Sequence, residues 1–280
     1  MRKTVKIGNV IFGGPSLGFI AGPCVIESPD LVRRTAEGML KVADELKINF
    51  VFKCSFDKAN RTRLPNFRGP GFYEGLRILQ MVKEEFGLPV LSDVHETWQV
   101  APAAEVLDAL QIPAFLARQT DLLTCAAESG LPVNVKKGQF MAPDDMALVA
   151  SKMENQPNFK GVCLCERGSC FGYHNLVVDM RALVDMRVSG WPVLYDATHS
   201  VQQRPEAGAA ATLGIRRFIA PLARAAAAAG VDGFFLETHP RPDQAQCDSG
   251  TQWPLNRLKN LIEPLLAIHE LSKGDPQHEL

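Results

Sequence analysis

Side chains able to do chemistry recur at one kind of place in this 280-residue chain, the end of a short apolar run. Those ends hold Cys24, Lys53 with Ser55, Asp93 with His95, Arg118, Lys136 with Lys137, Glu166 with Arg167, Asp196 with His199, and Glu237 with His239. Two chemistries separate within the set. Lys53, Lys58, Arg61, Arg118, Lys136 and Arg167 make a cationic group suited to small, multiply anionic substrates. Arg grips phosphate and carboxylate bidentately, and Lys acts as a point charge. Cys24, His199, Glu237 and Asp248 offer one thiolate, one imidazole and two carboxylates. That mixed set fits Zn²⁺ or Fe²⁺ better than Mg²⁺, which avoids sulfur. Plainer readings stand beside these: a strand-end charge can be a solvated rim residue, and Cys24 a small buried hydrophobe. For all the ends together the plain reading is weak, because so many charges at one rim need a compensating ligand or metal.

The runs that position these residues are Gly18 to Ile26, Asn49 to Phe56, Pro89 to His95, Pro113 to Arg118, Pro132 to Lys137, Gly161 to Glu166, Pro192 to His199 and Val231 to His239. Each is bounded by Gly, Pro or Asn and rich in Val, Leu, Ile or Phe, as buried parallel strands are. Helical stretches lie between them. Pro29 to Lys47 has Ser28 as its N-cap, and Ala142 to Glu154 opens on Pro143-Asp144-Asp145. Phe218 to Ala229 is alanine-rich and closed by Gly230, and Pro254 to Leu271 carries a leucine stripe. Eight alternations predict an α/β chain folded as a single (β/α)₈ TIM barrel domain over residues 1–280. An open doubly wound sheet ranks behind it, since no run is followed by a Gly-x-Gly-x-x-Gly turn. Thr4 to Phe12, with Gly8-Asn9 at its centre, predicts an N-terminal β-hairpin covering the barrel bottom.

Barrel active sites lie at the C-terminal strand ends. Residues two apart share a face, so Lys53 points with Ser55, Asp93 with His95, Asn134 with Lys136, and Glu237 with His239. Phe52, Val94 and Val135 point the other way, toward the helices. The stretch Asp57 to Gly71 adds Arg63 and Arg68 and is long for a barrel connection, as binding loops are, although a plain solvated loop reads the same way.

Composition narrows the function classes. Thirty basic against 31 acidic residues, a net charge of −1, argue against a general nucleic-acid binder. No apolar run approaches the ~20 residues that span a bilayer. The basic start, Arg2 to Lys6, fails as a signal region because Gly13, Gly14, Pro15 and Gly18 break the apolar stretch behind it. Seven cysteines, an odd number, suit reduced thiols in a cytoplasm. Cys163-x-Cys165 with Cys170 lacks zinc-knuckle spacing and reads as core or rim packing.

Over nearly the whole chain these motifs resemble the 3-deoxy-D-manno-octulosonate 8-phosphate synthase family. The matching pieces are Ala21-Gly22-Pro23-Cys24, Phe52-Lys53-Cys54-Ser55-Phe56-Asp57-Lys58-Ala59-Asn60-Arg61, Arg68-Gly69-Pro70-Gly71 and Ser92-Asp93-Val94-His95-Glu96. They continue with Pro113 to Asp121, Val135-Lys136-Lys137-Gly138-Gln139-Phe140, and Glu166-Arg167-Gly168 with Phe171-Gly172-Tyr173. Asp196-Ala197-Thr198-His199-Ser200 and Glu237-Thr238-His239-Pro240 complete them.

The resemblance implies a transferase that condenses phosphoenolpyruvate with D-arabinose 5-phosphate and feeds lipopolysaccharide inner-core synthesis. The family is a TIM barrel and a homotetramer. Lys53, Ser55, Lys136, Arg167 and the backbone at Ala114 and Phe115 resemble its phosphoenolpyruvate site. Lys58 falls between the two substrates, and Asn60 and Arg61 resemble the arabinose 5-phosphate site. Arg118 reaches in from a neighbouring subunit, while Asp93 and Gln202 line the pocket. Lys58, Asp93, Lys136 and His199 are the implied catalytic group. Cys24, where metal-independent members carry Asn, joins His199, Glu237 and Asp248 as a metal-dependent set for one Zn²⁺, Fe²⁺ or Mn²⁺ per subunit; Cys247 is not counted.

One departure stands out. After Gln203 the family has a Gly-rich loop, whereas this chain reads Arg204-Pro205-Glu206-Ala207-Gly208-Ala209-Ala210-Ala211, so no catalytic role is assigned between Arg204 and Arg217. The rival readings are a heptulosonate-phosphate synthase using erythrose 4-phosphate, a Schiff-base aldolase acting through Lys136, and a silent sugar-phosphate-binding barrel. The first ranks well behind, because its family resembles Lys-Pro-Arg-Thr where this chain has Lys58-Ala59-Asn60-Arg61.

Overall fold

The computed structural model describes residues 2–61, 63–173, 175–203 and 213–272. Eight parallel strands form its centre: Gly18–Gly22, Phe50–Lys53, Val90–Asp93, Ala109–Ile112, Val133–Lys136, Val162–Glu166, Val193–Asp196 and Gly233–His239. Each pairs with the next, and the last pairs with the first, Gly233 opposite Gly18 and Glu237 opposite Gly22. The sheet is therefore closed and has no free edge. Helices alternate with the strands, as the expected (β/α)₈ order requires.

Local signals place several elements closely. The helix Pro29–Leu46 starts where the Ser28 hydroxyl accepts from the Leu31 N–H at 3.2 Å, and it stops at Lys47, whose φ of 54° is left-handed. Asp145–Glu154 and Ile219–Ala228 fall within the expected stretches. The last helix, Leu258–Ser272, begins later than expected. Trp253–Pro254 pairs beside Thr238 and His239, and a tight turn at Leu255–Arg257 precedes the helix.

The fourth strand is a correction. Pro113 to Arg118 is the expected strand, but the strand is Ala109–Ile112 and Ala114–Leu116 is a 3₁₀ turn. Pro113 lacks a ladder donor. Pro113 stands where Pro89, Pro132 and Pro192 each open a run, but here it follows one, so the true strand lies on the side from which the run is not expected. Arg118 accordingly leaves the strand-end set and lies exposed beyond the turn.

Alternation along the strands separates two interiors. Phe52, Val94 and Val135 face the helices, as expected, in an apolar layer with Phe19, Tyr195 and Phe234. Ile20, Val51, Leu91, Ala109, Cys163, Cys165, Leu194 and Phe235 fill the barrel itself. Beneath them the hairpin strands Val5–Ile7 and Val10–Phe12 present Val5, Ile7, Val10 and Phe12 to the same cluster, closing the bottom. Cys163 and Cys165 are thus core, and Cys170 is exposed on the small hairpin strand Ser169–Phe171.

Higher in the barrel the inward positions turn polar: Lys53, Asp93, Gln111, Asn134, Lys136, Asp196 and Glu237. The joint between the first two strands there depends on Gly22. Its φ is 152°, and a Cβ would overlap the Lys53 carbonyl oxygen. Gly22→Ala is expected to destabilise the chain by roughly 3 kcal/mol or more, read as a lowered urea midpoint.

Candidate functional site

Above this polar layer the barrel opens into a cavity of about 680 Å³. Lys53, Lys58, Asn60, Arg61, Asp93, Ala114, Phe115, Lys136, Arg167, His199 and Gln202 all line it. Two expected substrate residues do not. Ser55 is fully buried and its hydroxyl donates to Asp93 Oδ2 at 2.8 Å, while Arg118 lies outside the cavity of its own chain. Neither Arg63 nor Arg68 lines the cavity, and Arg68 pairs with Asp57. The segment 204–212, which carries the departure from the family loop, lies outside the described residues.

The cations are fixed by carboxylates set among them. Lys53 Nζ donates to Glu237 Oε1 at 2.7 Å and to the Cys24 carbonyl at 3.0 Å. Lys136 Nζ donates to Asp196 Oδ2 at 2.5 Å and lies 3.0 Å from the centroid of the Phe235 ring. Lys58 Nζ sits 4.0 Å from Asp93 Oδ2 and 3.8 Å from Glu237 Oε1. Arg167 Nη2 donates to Gln202 Oε1 at 2.5 Å, and Arg61 is anchored on the Phe67 and Gln246 carbonyls at 2.8 and 3.0 Å. Burial works against the Lys53 and Lys58 ammonium groups, yet the neighbouring anionic groups outweigh it and hold both above the usual lysine range. Both therefore stay charged, ready for anionic ligands.

A buried polar belt runs from Ser55, just past the second strand, across the next three strands. Ser55 donates to Asp93 Oδ2, Gln111 Nε2 donates to Asp93 Oδ1, and Asn134 Nδ2 donates to Gln111 Oε1 at 2.7 Å. Gln111 is absent from the expected site because its strand is expected too late in the chain; the inward spacing Ala109-x-Gln111 is the signal that finds it. Burial pushes the Asp93 carboxyl up, but Lys58, Lys53, His95 and the Ser55 hydroxyl overcome this and hold it well below the usual range. A depressed carboxyl contributes stability that is present above its unfolded pKa, about 3.9, and is lost as pH falls below that value. Urea midpoints measured from pH 6 to pH 2 should therefore fall more steeply for the native chain than for Asp93→Asn.

The four expected metal ligands converge on one wall. His199 Nε2 lies 3.4 Å from Glu237 Oε1 and 3.7 Å from Asp248 Oδ2, and Cys24 Sγ lies 3.4 Å from Asp248 Oδ2. Asp248 thus belongs to two overlapping donor groups, one with His199 and Glu237 and one with Cys24 and Cys247. Cys247, left out of the expected set, places its Sγ 2.8 Å from Cys24 Sγ.

The donor chemistry fits a divalent ion. Asp196 Oδ2 contacts His199 Nδ1 at 2.7 Å, which turns Nε2 toward the carboxylates, the arrangement that outer carboxylates give metal-binding imidazoles. Glu237 Oε2 is buried with no hydrogen-bond partner. Burial and the Cys247 thiol push the Cys24 thiol well above its usual range, and a bound cation is what would convert it to the thiolate ligand.

The profile of the DAHP synthetase I family matches residues 3–271. A protein of Fusobacterium nucleatum named 2-dehydro-3-deoxyphosphooctonate aldolase is 50% identical over 271 residues, covering 96% of this chain and 97% of its own. Proteins of the same name from Magnetococcus marinus and Geobacter metallireducens are 52% and 53% identical, covering 97% and 98% of this chain and 94% and 100% of their own. The barrel, the order of residues around its mouth and this near-complete coverage agree with the resemblance read from the motifs, and the chain belongs to the DAHP synthetase I family.

Proposed function

We propose that this chain is a 3-deoxy-8-phosphooctulonate synthase, a transferase that joins phosphoenolpyruvate, D-arabinose 5-phosphate and water into 3-deoxy-D-manno-octulosonate 8-phosphate and inorganic phosphate. The observation that carries this reading is the cavity itself, where cations for two anionic substrates stand against a thiol, imidazole and carboxylate cluster. Lys136, Arg167 and the turn at Ala114–Phe115 hold the phosphate of phosphoenolpyruvate, and Lys53 its carboxylate. Asn60 and Arg61 hold the sugar phosphate, completed by Arg118 of a neighbouring copy in a homotetramer.

Two polyanions repel each other, and fixed cations remove that penalty while orienting the reacting carbons. Carbon three of phosphoenolpyruvate bonds to the aldehyde carbon, whose oxygen takes a proton. Water adds at carbon two, and the hemiketal phosphate breaks its C–O bond to release phosphate. Lys58, held between Asp93 and Glu237, is placed to donate a hydrogen bond to the aldehyde oxygen as charge develops there. Asp93, kept ionised, orients Lys58. Cys24, His199, Glu237 and Asp248 hold one Zn²⁺, Fe²⁺ or Mn²⁺, which when bound supplies Lewis acidity toward the aldehyde.

The product feeds lipopolysaccharide inner-core synthesis. The whole chain acts as one barrel domain in the cytoplasm, consistent with its free cysteines, and binds neither nucleic acid nor membrane. Among the described residues no helix is long and apolar enough to cross a membrane. Phosphate release should be rapid with arabinose 5-phosphate and slow with erythrose 4-phosphate, fall on chelation and return on metal add-back. Preference for erythrose 4-phosphate would favour the heptulosonate reading, against the Lys58 to Arg61 comparison, and full activity after verified metal removal would refute the metal.

A further inference from the structure

We infer that Gln252 is a positioning residue of the donor cluster, a clamp holding the loop that bears Asp248 against the strand end that bears Cys24; this rests on the metal reading above. Its Oε1 accepts from the Cys24 N–H at 3.2 Å, and its Nε2 donates to the Cys247 carbonyl at 2.8 Å. Its own backbone N–H donates to the Asp248 carbonyl at 3.1 Å. The residue is fully buried, and the two partners decide which end of the amide faces which segment. One glutamine therefore touches the backbone of two of the four donor residues and of the cysteine beside them.

The donors need such a link because their supports are unequal. Glu237 lies within a barrel strand and His199 is held by Asp196. Cys24 lies just past the first strand, while Asp248 sits in a loop, with a left-handed φ of 47°. Metal ligands must be placed to about 0.2 Å, and no sheet ladder joins these two segments at that precision. Through Gln252 the loop inherits the position of the strand. A side chain of equal length without the amide would leave the Cys24 N–H and the Cys247 carbonyl unmatched in the interior.

The test is a Co²⁺ or Zn²⁺ titration of the full chain against a competing chelator, with circular dichroism and thermal melting alongside. Gln252→Met should raise the metal Kd about 10- to 100-fold, the loss typical of outer residues that orient ligands, and weaken the thiolate-to-Co²⁺ absorption. Gln252→Asn keeps an amide one methylene shorter, reaches one backbone partner, and should show a smaller loss; it also serves if the Met variant is insoluble. Thr35→Val removes a buried hydroxyl that donates to the Leu31 carbonyl at 2.8 Å in the first helix, and should lower Tm without moving the metal Kd.

Native affinity in Gln252→Met overturns the clamp, as does an equal loss of affinity in Thr35→Val. Failure of both Gln252 variants to fold even in excess metal also overturns it, since a clamp confined to the cluster does not set the whole fold. A native chain that takes up no metal overturns the metal reading and the clamp together, a result distinct from the others.

Discussion

Cys24→Ala is expected to emerge from dialysis folded but without its divalent ion, and to release phosphate at least ~100-fold more slowly than the native chain. The effect is large because one substitution removes the sulfur donor while the other three remain. A borderline ion then faces only imidazole and carboxylate, of which Glu237 is already engaged by Lys53 at 2.7 Å. The fold should survive, since Cys24 is small and sits beside Cys247 in a minor cluster with Val25, apart from the two larger cores. Loss of its buried sulfur should cost about 1 kcal/mol. Metal content per chain, far-UV circular dichroism and phosphate release, taken on one preparation, separate these effects. Native metal content with native activity would remove Cys24 from the ligand set.

Lys136→Met should be nearly as damaging, for a different reason. The ammonium lies between Asp196 and the Phe235 ring at the cavity wall, the place proposed for the phosphate of phosphoenolpyruvate. Truncating one member of a buried charge pair typically costs ~2–5 kcal/mol, or roughly 30- to 5,000-fold in kcat/KM. Lys136→Arg should recover little, because the wider guanidinium plane has to fit above a ring now 3.0 Å from Nζ. Borohydride added with substrate distinguishes this from aldolase chemistry: no reduced adduct should form on Lys136. A trapped adduct, or undiminished kcat/KM in the Met variant, would overturn the role.

The parts of this molecule that are legible in the sequence are those set by near neighbours. Ser28 announces its helix because a cap acts over three residues, and Gly8-Asn9 announces its hairpin because the turn is the signal. Lys53, Asp93, Lys136, Asp196 and Glu237 are legible as a group because strand alternation alone puts them on the inward face. The fourth strand is obscured because Pro113, placed like the prolines that open other runs, here follows the strand, and Gln111, which turns inward to Asp93, falls ahead of the expected run. The Cys24 and Cys247 thiols meet across 223 positions, and no local pattern records which pairs a closing barrel will bring together. Family likeness points to the four candidate donors, but not to Gln252, whose amide meets the backbone of Cys24 and Cys247.

The hairpin beneath the barrel has a kinetic meaning. Phe12 presses against Gly18 and Gly233 and, with Val5, Ile7 and Val10, seals the far end with hydrocarbon. The vessel is blind-ended, so every reagent and every leaving fragment passes through one doorway. Access in this chain is thus confined to the mouth by packing at the opposite pole, the hairpin and the filled barrel interior together.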